Sequence, residues 1–191
     1  MFSYGAVIQS YDASEFVFRE GTTSKFYFQI KSGFVKLNNF TEKGNEFIHG
    51  IPFDGHCFGE SYLFTEIPYG ISALTATQCE IIKLKKADFQ KMLSEMPDLF
   101  PILYKYTSER FHFRYLMSSL LSETNPVKRV TKFLDFVKMR FGYKAEFSFK
   151  VPYTRNQIAS FTGMRVETII RAIRKMKQDG KLLVKEGKIY Y

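Results

Sequence analysis

One stretch, TRNQIASFTGMRVETIIRAIRKMKQDG at 154–180, constrains this chain more than any other. Ala159 is followed four positions on by Gly163, and apolar residues stand at Ile158, Phe161, Val166, Ile169 and Ile173. That spacing predicts two short helices, over 156–161 and 166–178, crossing at the small Ala159. Gly163 makes the turn between them, because glycine accepts a left-handed conformation. Thr154 is placed to cap the first helix, and Asp179-Gly180 stops the second. Beyond it, Leu182-Leu183-Val184 and Ile189-Tyr190-Tyr191 flank Lys185-Glu186-Gly187-Lys188, which predicts a β-hairpin. Crossed helices followed by a hairpin define a winged helix-turn-helix. In such a unit the second helix enters the major groove of a duplex.

The charge distribution agrees. Residues 1–97 hold 9 Lys/Arg against 11 Asp/Glu, 98–125 are balanced, and 126–191 hold 16 against 5, so the net +9 is concentrated at the end. A compact segment of that charge has a field suited to a polyanion. Glu167 and Arg171 are four apart and share a helix face. Arg171 can donate twice to guanine, and Glu167 can accept from a cytosine amino group. The alternative for this couple is a surface ion pair of about 1 kcal/mol at most. Arg155, Arg165, Arg174 and Lys175, with the hydroxyls of Thr154 and Thr168, are placed for phosphates, which position without specifying sequence.

Upstream, 15–97 reads as short strands with Gly44, Gly50, Gly55 and Gly59 as punctuation, a small sandwich or jelly roll. A helix follows over 87–96. Pro97-Asp98 opens a longer one to about 122, whose residues Leu99, Leu103, Tyr106, Arg110, Phe113, Met117 and Leu120 are spaced 4, 3, 4, 3, 4, 3. This heptad stripe predicts pairing with a second copy across a two-fold axis; the alternative is a helix lying on its own sheets. Asn125-Pro126 starts a third helix, buried along Val127, Val130, Phe133, Leu134 and Val137, and 146–151 reads as a short strand. The expected architecture is α+β: an N-terminal β-roll over 1–97, a dimerisation helix over 98–124 and a winged helix-turn-helix over 125–191. No apolar run reaches the roughly 18 residues that span a bilayer, and no secretory leader pattern opens the chain. Two cysteines, Cys57 and Cys79, make no disulfide framework, so a reducing cytoplasm is expected. No Ser-His-Asp order, metal-spaced His/Cys set or phosphate-cradling glycine loop suggests an enzyme.

Several motifs together, FREG at 18–21, Ser32-Gly33 with Val35 and Leu37, GHCFGE at 55–60, the helix after Pro97-Asp98, and Thr154-Arg155, Ile158-Ala159, Gly163 and ETIIR at 167–171, resemble the Crp/Fnr family of bacterial transcription regulators. The resemblance covers nearly the whole chain. It implies a cyclic-nucleotide-binding-type roll, a homodimer on a palindromic operator, and control of RNA polymerase recruitment. It implies that Glu167 and Arg171 read a TGA-like half-site. Val166 stands where the cyclic-AMP branch has a base-contacting arginine, and Ile170 replaces a small polar residue, which leaves the base next to that core open; an apolar side chain there can meet a thymine methyl. The family's helix ahead of the first strand has only the fourteen residues before Glu15 to occupy.

The same resemblance locates an effector pocket at Gly59, Glu60, Ile71, Ser72 and Ala73, with Arg114 and Tyr115 of the long helix. Glu60 matches the ribose-binding carboxylate, but Gly70 and Ile71 stand where a phosphate-binding arginine belongs. Losing that contact costs about 2–5 kcal/mol, so cyclic AMP in its usual mode is not expected. Two thiolates do not hold an iron–sulfur cluster. His49, His56 and His112 are the available haem ligands, each a more ordinary surface or core histidine. No resident cofactor is expected, and the effector is an unknown ligand or none. A different class of function, a cyclic-nucleotide-type or haem sensor acting through a protein partner, would not need the basic C-terminal third.

Overall fold

The computed structural model of the chain describes residues 1–65 and 67–191 and divides into two compact units, Met1–Phe111 and His112–Tyr191. In the first unit, two four-stranded antiparallel sheets face each other. One has the order β1-β8-β3-β6, with β1 Val7–Tyr11, β3 Phe26–Ser32, β6 Cys57–Phe58 and β8 Cys79–Lys85. The other has the order β2-β7-β4-β5, with β2 Phe16–Phe18, β4 Val35–Phe40, β5 Glu46–Gly50 and β7 Ser72–Thr75. The aromatic-rich sequence fills the space between them: Phe18, Phe28, Phe58 and Tyr69 form one ring cluster with Ile30, Val35, Ile71, Ala73 and Ile81. Helix α1, Lys86–Glu95, closes the unit by burying Phe89, Met92 and Leu93, which share one face of the helix. This is the expected roll.

Two features differ from expectation. The residues before Glu15 include a strand, β1, which pairs along its length with β8. Four of its five residues are exposed, so it carries no alternation for a sequence reading to find. A short 3-10 turn, Phe2–Tyr4, precedes it in place of a longer helix. Second, the turn at Ser32-Gly33 joins two strands that do not pair with each other. The strands on either side belong to opposite sheets, so this is a corner. Gly33 has φ +103°, and a Cβ there would lie 2.6 Å from both the Gln78 carbonyl oxygen and Cys79 Sγ.

Helix α2, Leu99–Leu121, is divided between the units. Domain edges placed at its two ends therefore do not match the packing, which divides at Phe111/His112. The cause lies in the heptad stripe expected at a two-fold axis. Leu99, Leu103 and Tyr106 pack on the core beneath α1, and Arg110 hydrogen-bonds within the roll. Further along, Phe113 rests on Phe136, and Met117 and Leu120 are buried. The stripe is thus used inside the chain. A different stripe, Phe100, Tyr104, Phe111 and Tyr115, is exposed on α2.

In the second unit, α3 Pro126–Arg140 is capped by the Asn125 side chain, which accepts from the Val127 and Lys128 amides. It buries Val130, Phe133, Leu134 and Val137. Helices α4 Arg155–Thr162 and α5 Val166–Gln178 pack on it, and β9 Leu183–Lys185 pairs with β10 Lys188–Tyr190. The segment 146–151 is not a regular strand. Only Lys150 bridges Tyr190, although Phe149 exchanges backbone hydrogen bonds with Tyr191, and Val151 donates to Ile189.

Candidate nucleic-acid interface and effector cradle

The helix-turn-helix is built by local chemistry. The Thr154 hydroxyl accepts from the Gln157 amide at 3.2 Å, and the Gln157 side chain accepts from the Thr154 amide at 2.8 Å, a capping box that fixes where α4 begins. Gly163 ends it at φ 62°, in the left-handed region. The core between α4 and α5 contains Ile158, Ala159, Phe161, Ile169 and Ile173, as expected, with Ala172 and Met176. Burying 169, 172, 173 and 176 turns the opposite face of α5 outward. That face carries Glu167, Ile170, Arg171 and Arg174, all exposed, with Ile170 at 40%. Val166 and Thr168, next to it, are half-buried.

The charged groups around this face are differently engaged. Arg171 donates to Thr168 Oγ1 at 3.4 Å, and Glu167 forms no ion pair with it among the described residues. Lys175 is paired with Asp179 at 2.8 Å. Arg155 donates to the Gly187 carbonyl at 3.0 Å, which ties the start of α4 to the tip of the β9–β10 wing. Arg165, at the start of α5, and Arg174 are exposed.

One residue here escaped sequence reasoning. The Arg129 guanidinium donates to the Glu123 and Leu121 carbonyls at the end of α2, at 2.7 and 3.1 Å, and to the Thr162 carbonyl at the end of α4, at 3.1 Å. A planar fork with five donors suits this task, and lysine could not perform it.

In the first unit the predicted effector residues Gly59, Glu60, Ile71, Ser72 and Ala73 are brought together around a 3-10 turn, Glu60–Phe64, and β7. Their polar groups are committed internally. Glu60, 1% exposed, is ion-paired with Arg110 and accepts from Thr107 Oγ1 at 3.1 Å; its second oxygen, Oε2, is buried without a hydrogen-bond partner. Arg110 also donates to the Cys57 carbonyl at 2.9 Å. Burial raises the Cys57 thiol pKa, against the opposing charge of Arg110. Ser72 Oγ accepts from the Glu20 amide at 3.0 Å. Ile71 and Ala73 are part of the apolar core. The other two predicted members, Arg114 and Tyr115, belong to the C-terminal unit, the first half-buried and the second 70% exposed.

His49 contacts Asn39 Oδ1 at 2.5 Å, and the His56 ring lies 5.2 Å from that of Tyr106. Among the described residues, no cluster of His, Cys, Asp and Glu could hold a metal ion, and no helix is long and apolar enough to cross a membrane.

A roll of this topology followed by a winged helix-turn-helix defines a class: two-part DNA-binding transcription regulators. Comparison with known proteins agrees. Residues 8–96 match the cyclic nucleotide-binding domain and 128–190 the Crp-like helix-turn-helix domain. The chain is 32% identical over 178 residues to the transcriptional activator protein FnrA of Stutzerimonas stutzeri, covering 91% of this chain and 71% of that one. It is 29% identical over 177 residues to the transcriptional activator protein anr of Pseudomonas aeruginosa, covering 91% and 71%. The fold is shared with the c-di-GMP-responsive regulator CLP of Xanthomonas campestris, at a TM-score of 0.80, 22% identity and coverage of 99% and 95%. It is also shared with a CooA mutant of Carboxydothermus hydrogenoformans, at 0.83, 18%, 97% and 83%. The chain belongs to the Crp/Fnr family of transcription regulators, which bind DNA through the helix-turn-helix, typically as dimers.

Proposed function

We propose that this regulator binds a palindromic operator as a homodimer and reads TGA-like half-sites with Glu167 and Arg171. The observation that supports this most is the outward face of α5, where these two residues flank Ile170 above a fully buried stripe. Arg171 donates to guanine, Glu167 accepts from cytosine, and Ile170, with Val166 beside it, contacts thymine methyls. Thr154, Arg155, Arg165, Thr168, Arg174 and Lys175 hold phosphates, with Arg155 setting the wing against the flank. Bound to DNA in the cytoplasm, the dimer acts on recruitment of RNA polymerase.

The dimer forms along the exposed stripe of α2, Phe100, Tyr104, Phe111 and Tyr115, whose rings are the most open on the helix, while the heptad stripe beside it is half-buried or buried within the chain. Control is not by cyclic AMP in the usual mode. Ile71 offers a phosphate no charge, and Glu60 Oε1 and Ser72 Oγ already have partners. The deciding experiment is a gel shift on operator and random duplexes over a salt series. Arg171→Ala should cost about 1–3 kcal/mol on the operator and relax the guanine preference. Equal loss on random DNA would make Arg171 a phosphate contact, and no salt-sensitive binding by the wild type would end the reading.

A further inference from the structure

A groove of about 340 Å³ opens between β2 and β3, and Gly59, Glu60 and Ser72 are not among the residues that line it. Its walls are rings: Phe16, Phe18, Phe26, Phe28 and Tyr69. Its rim holds three cations, Arg19, Lys25 and Lys83. Residues 1–97 are net acidic overall, so this cluster is a local feature and not a share of a basic surface. None of the three is ion-paired with a carboxylate among the described residues. Arg19 lies 3.6 Å over the Phe16 ring and Lys83 4.2 Å over the Phe26 ring. Stacking of this kind leaves the cation's hydrogen-bonding edge free while its body covers apolar surface. Lys83 makes a hydrogen bond of 3.3 Å to Gln9, which holds it at the rim.

At the back of the groove Tyr69 is almost fully buried, and its hydroxyl has no hydrogen-bond partner. A buried unpaired hydroxyl is unfavourable unless something bound supplies the partner.

We propose that this groove binds an apolar carboxylic acid, its ring or short chain against the phenylalanines and its carboxylate between Arg19 and Lys83. The volume suits a small ligand, and five aromatic rings with three rim cations match an apolar body that carries one negative charge. The groove also has a route to the sensor cradle. Phe18 and Tyr69 are stacked at 3.8 Å, and a Cβ on Gly59 would lie 3.0–3.2 Å from both rings. The pair is therefore the common wall of the groove and the Gly59-Glu60 turn. The Glu20 amide, next to Arg19, is bonded to Ser72 on the far side. A ligand seated against this wall acts on Glu60 and Arg110 without entering the cradle.

The test is calorimetry and ligand-observed NMR on the full chain, with 4-phenylbutyrate as the probe and 4-phenylbutanol as its uncharged counterpart. The acid should bind saturably, and the alcohol about tenfold or more weakly, the loss expected for a charge-assisted contact. Arg19→Gln with Lys83→Gln should make the two bind alike. Thr23→Trp, placed at the mouth, should remove both while melting and duplex binding show an intact fold. No saturable binding of the acid, equal binding of acid and alcohol by the wild type, or a preference unchanged in the double variant would each overturn the proposal. So would binding that survives Thr23→Trp. None of these readouts depends on which operator the protein reads.

Discussion

At the scale of single residues, Arg110 shows what a pattern conceals. In the sequence it is a charged interruption in an apolar stripe, and Glu60 is an acid in an aromatic segment fifty residues away. Folding joins them in the roll, with Thr107. Removing one partner of a buried pair costs more than removing both, because a lone charge stays desolvated. Arg110→Met should therefore destabilise the N-terminal unit by about 3–5 kcal/mol, and adding Glu60→Gln should recover much of that loss. Chemical denaturation followed by tyrosine fluorescence measures both. If the double variant were no better than the single, the pair would not be acting as a pair. The exposed face of α5 was easier to find, because short helices with a fixed turn leave few registers. The Arg129 clip was not, since its three acceptors are backbone carbonyls and carry no side-chain signal.

Among the elements, α5 and the wing are the most legible and β1 the least. Helix α5 shows a full buried stripe every third or fourth position, whereas β1 buries only Tyr11. The heptad pattern of α2 marks a stripe that is half-buried along Leu99, Leu103, Tyr106, Arg110 and Phe113 and buried at Met117 and Leu120, and the pattern does not say what packs on it. The roll and the C-terminal helices cover it within the chain, and the stripe left exposed has rings at 100, 104, 111 and 115. The join between α2 and α4 depends on Arg129. Arg129→Lys keeps the charge but can serve only part of the fork, leaving carbonyls unpaired at a cost of about 1–3 kcal/mol. The expected result is a lower melting temperature for the C-terminal unit and faster amide exchange around Gly163. Unchanged exchange there would mean that the end of α4 is held by other contacts.

For the whole molecule, the division of charge is also a division of labour. The acidic-to-neutral N-terminal part has the groove and the roll, and the last 66 residues, 126–191, have the excess of positive charge. Binding dominated by phosphate contacts releases counterions, so affinity for random duplex should fall about a thousandfold or more between roughly 50 and 200 mM salt. A flat salt response in a titration would mean that the basic third is only a solvated surface. Assembly is testable separately. Tyr104, 76% exposed, and Phe111 lie on the outer stripe of α2, so Tyr104→Lys with Phe111→Lys should give a monomer by light scattering with melting unchanged. The same two changes should weaken operator binding far more than random binding, because two half-sites would no longer be held by one particle.

The corner at Gly33 sets a limit on how this chain can evolve. The obstacle to a side chain there is partly Cys79 Sγ, which a smaller residue would relieve, and partly the Gln78 carbonyl oxygen, which no substitution removes. A second change elsewhere therefore cannot rescue the first. Sequence drift can rework the groove, the α2 stripe and the outward face of α5 one residue at a time. The crossing from one sheet to the other has no neighbouring solution in sequence space.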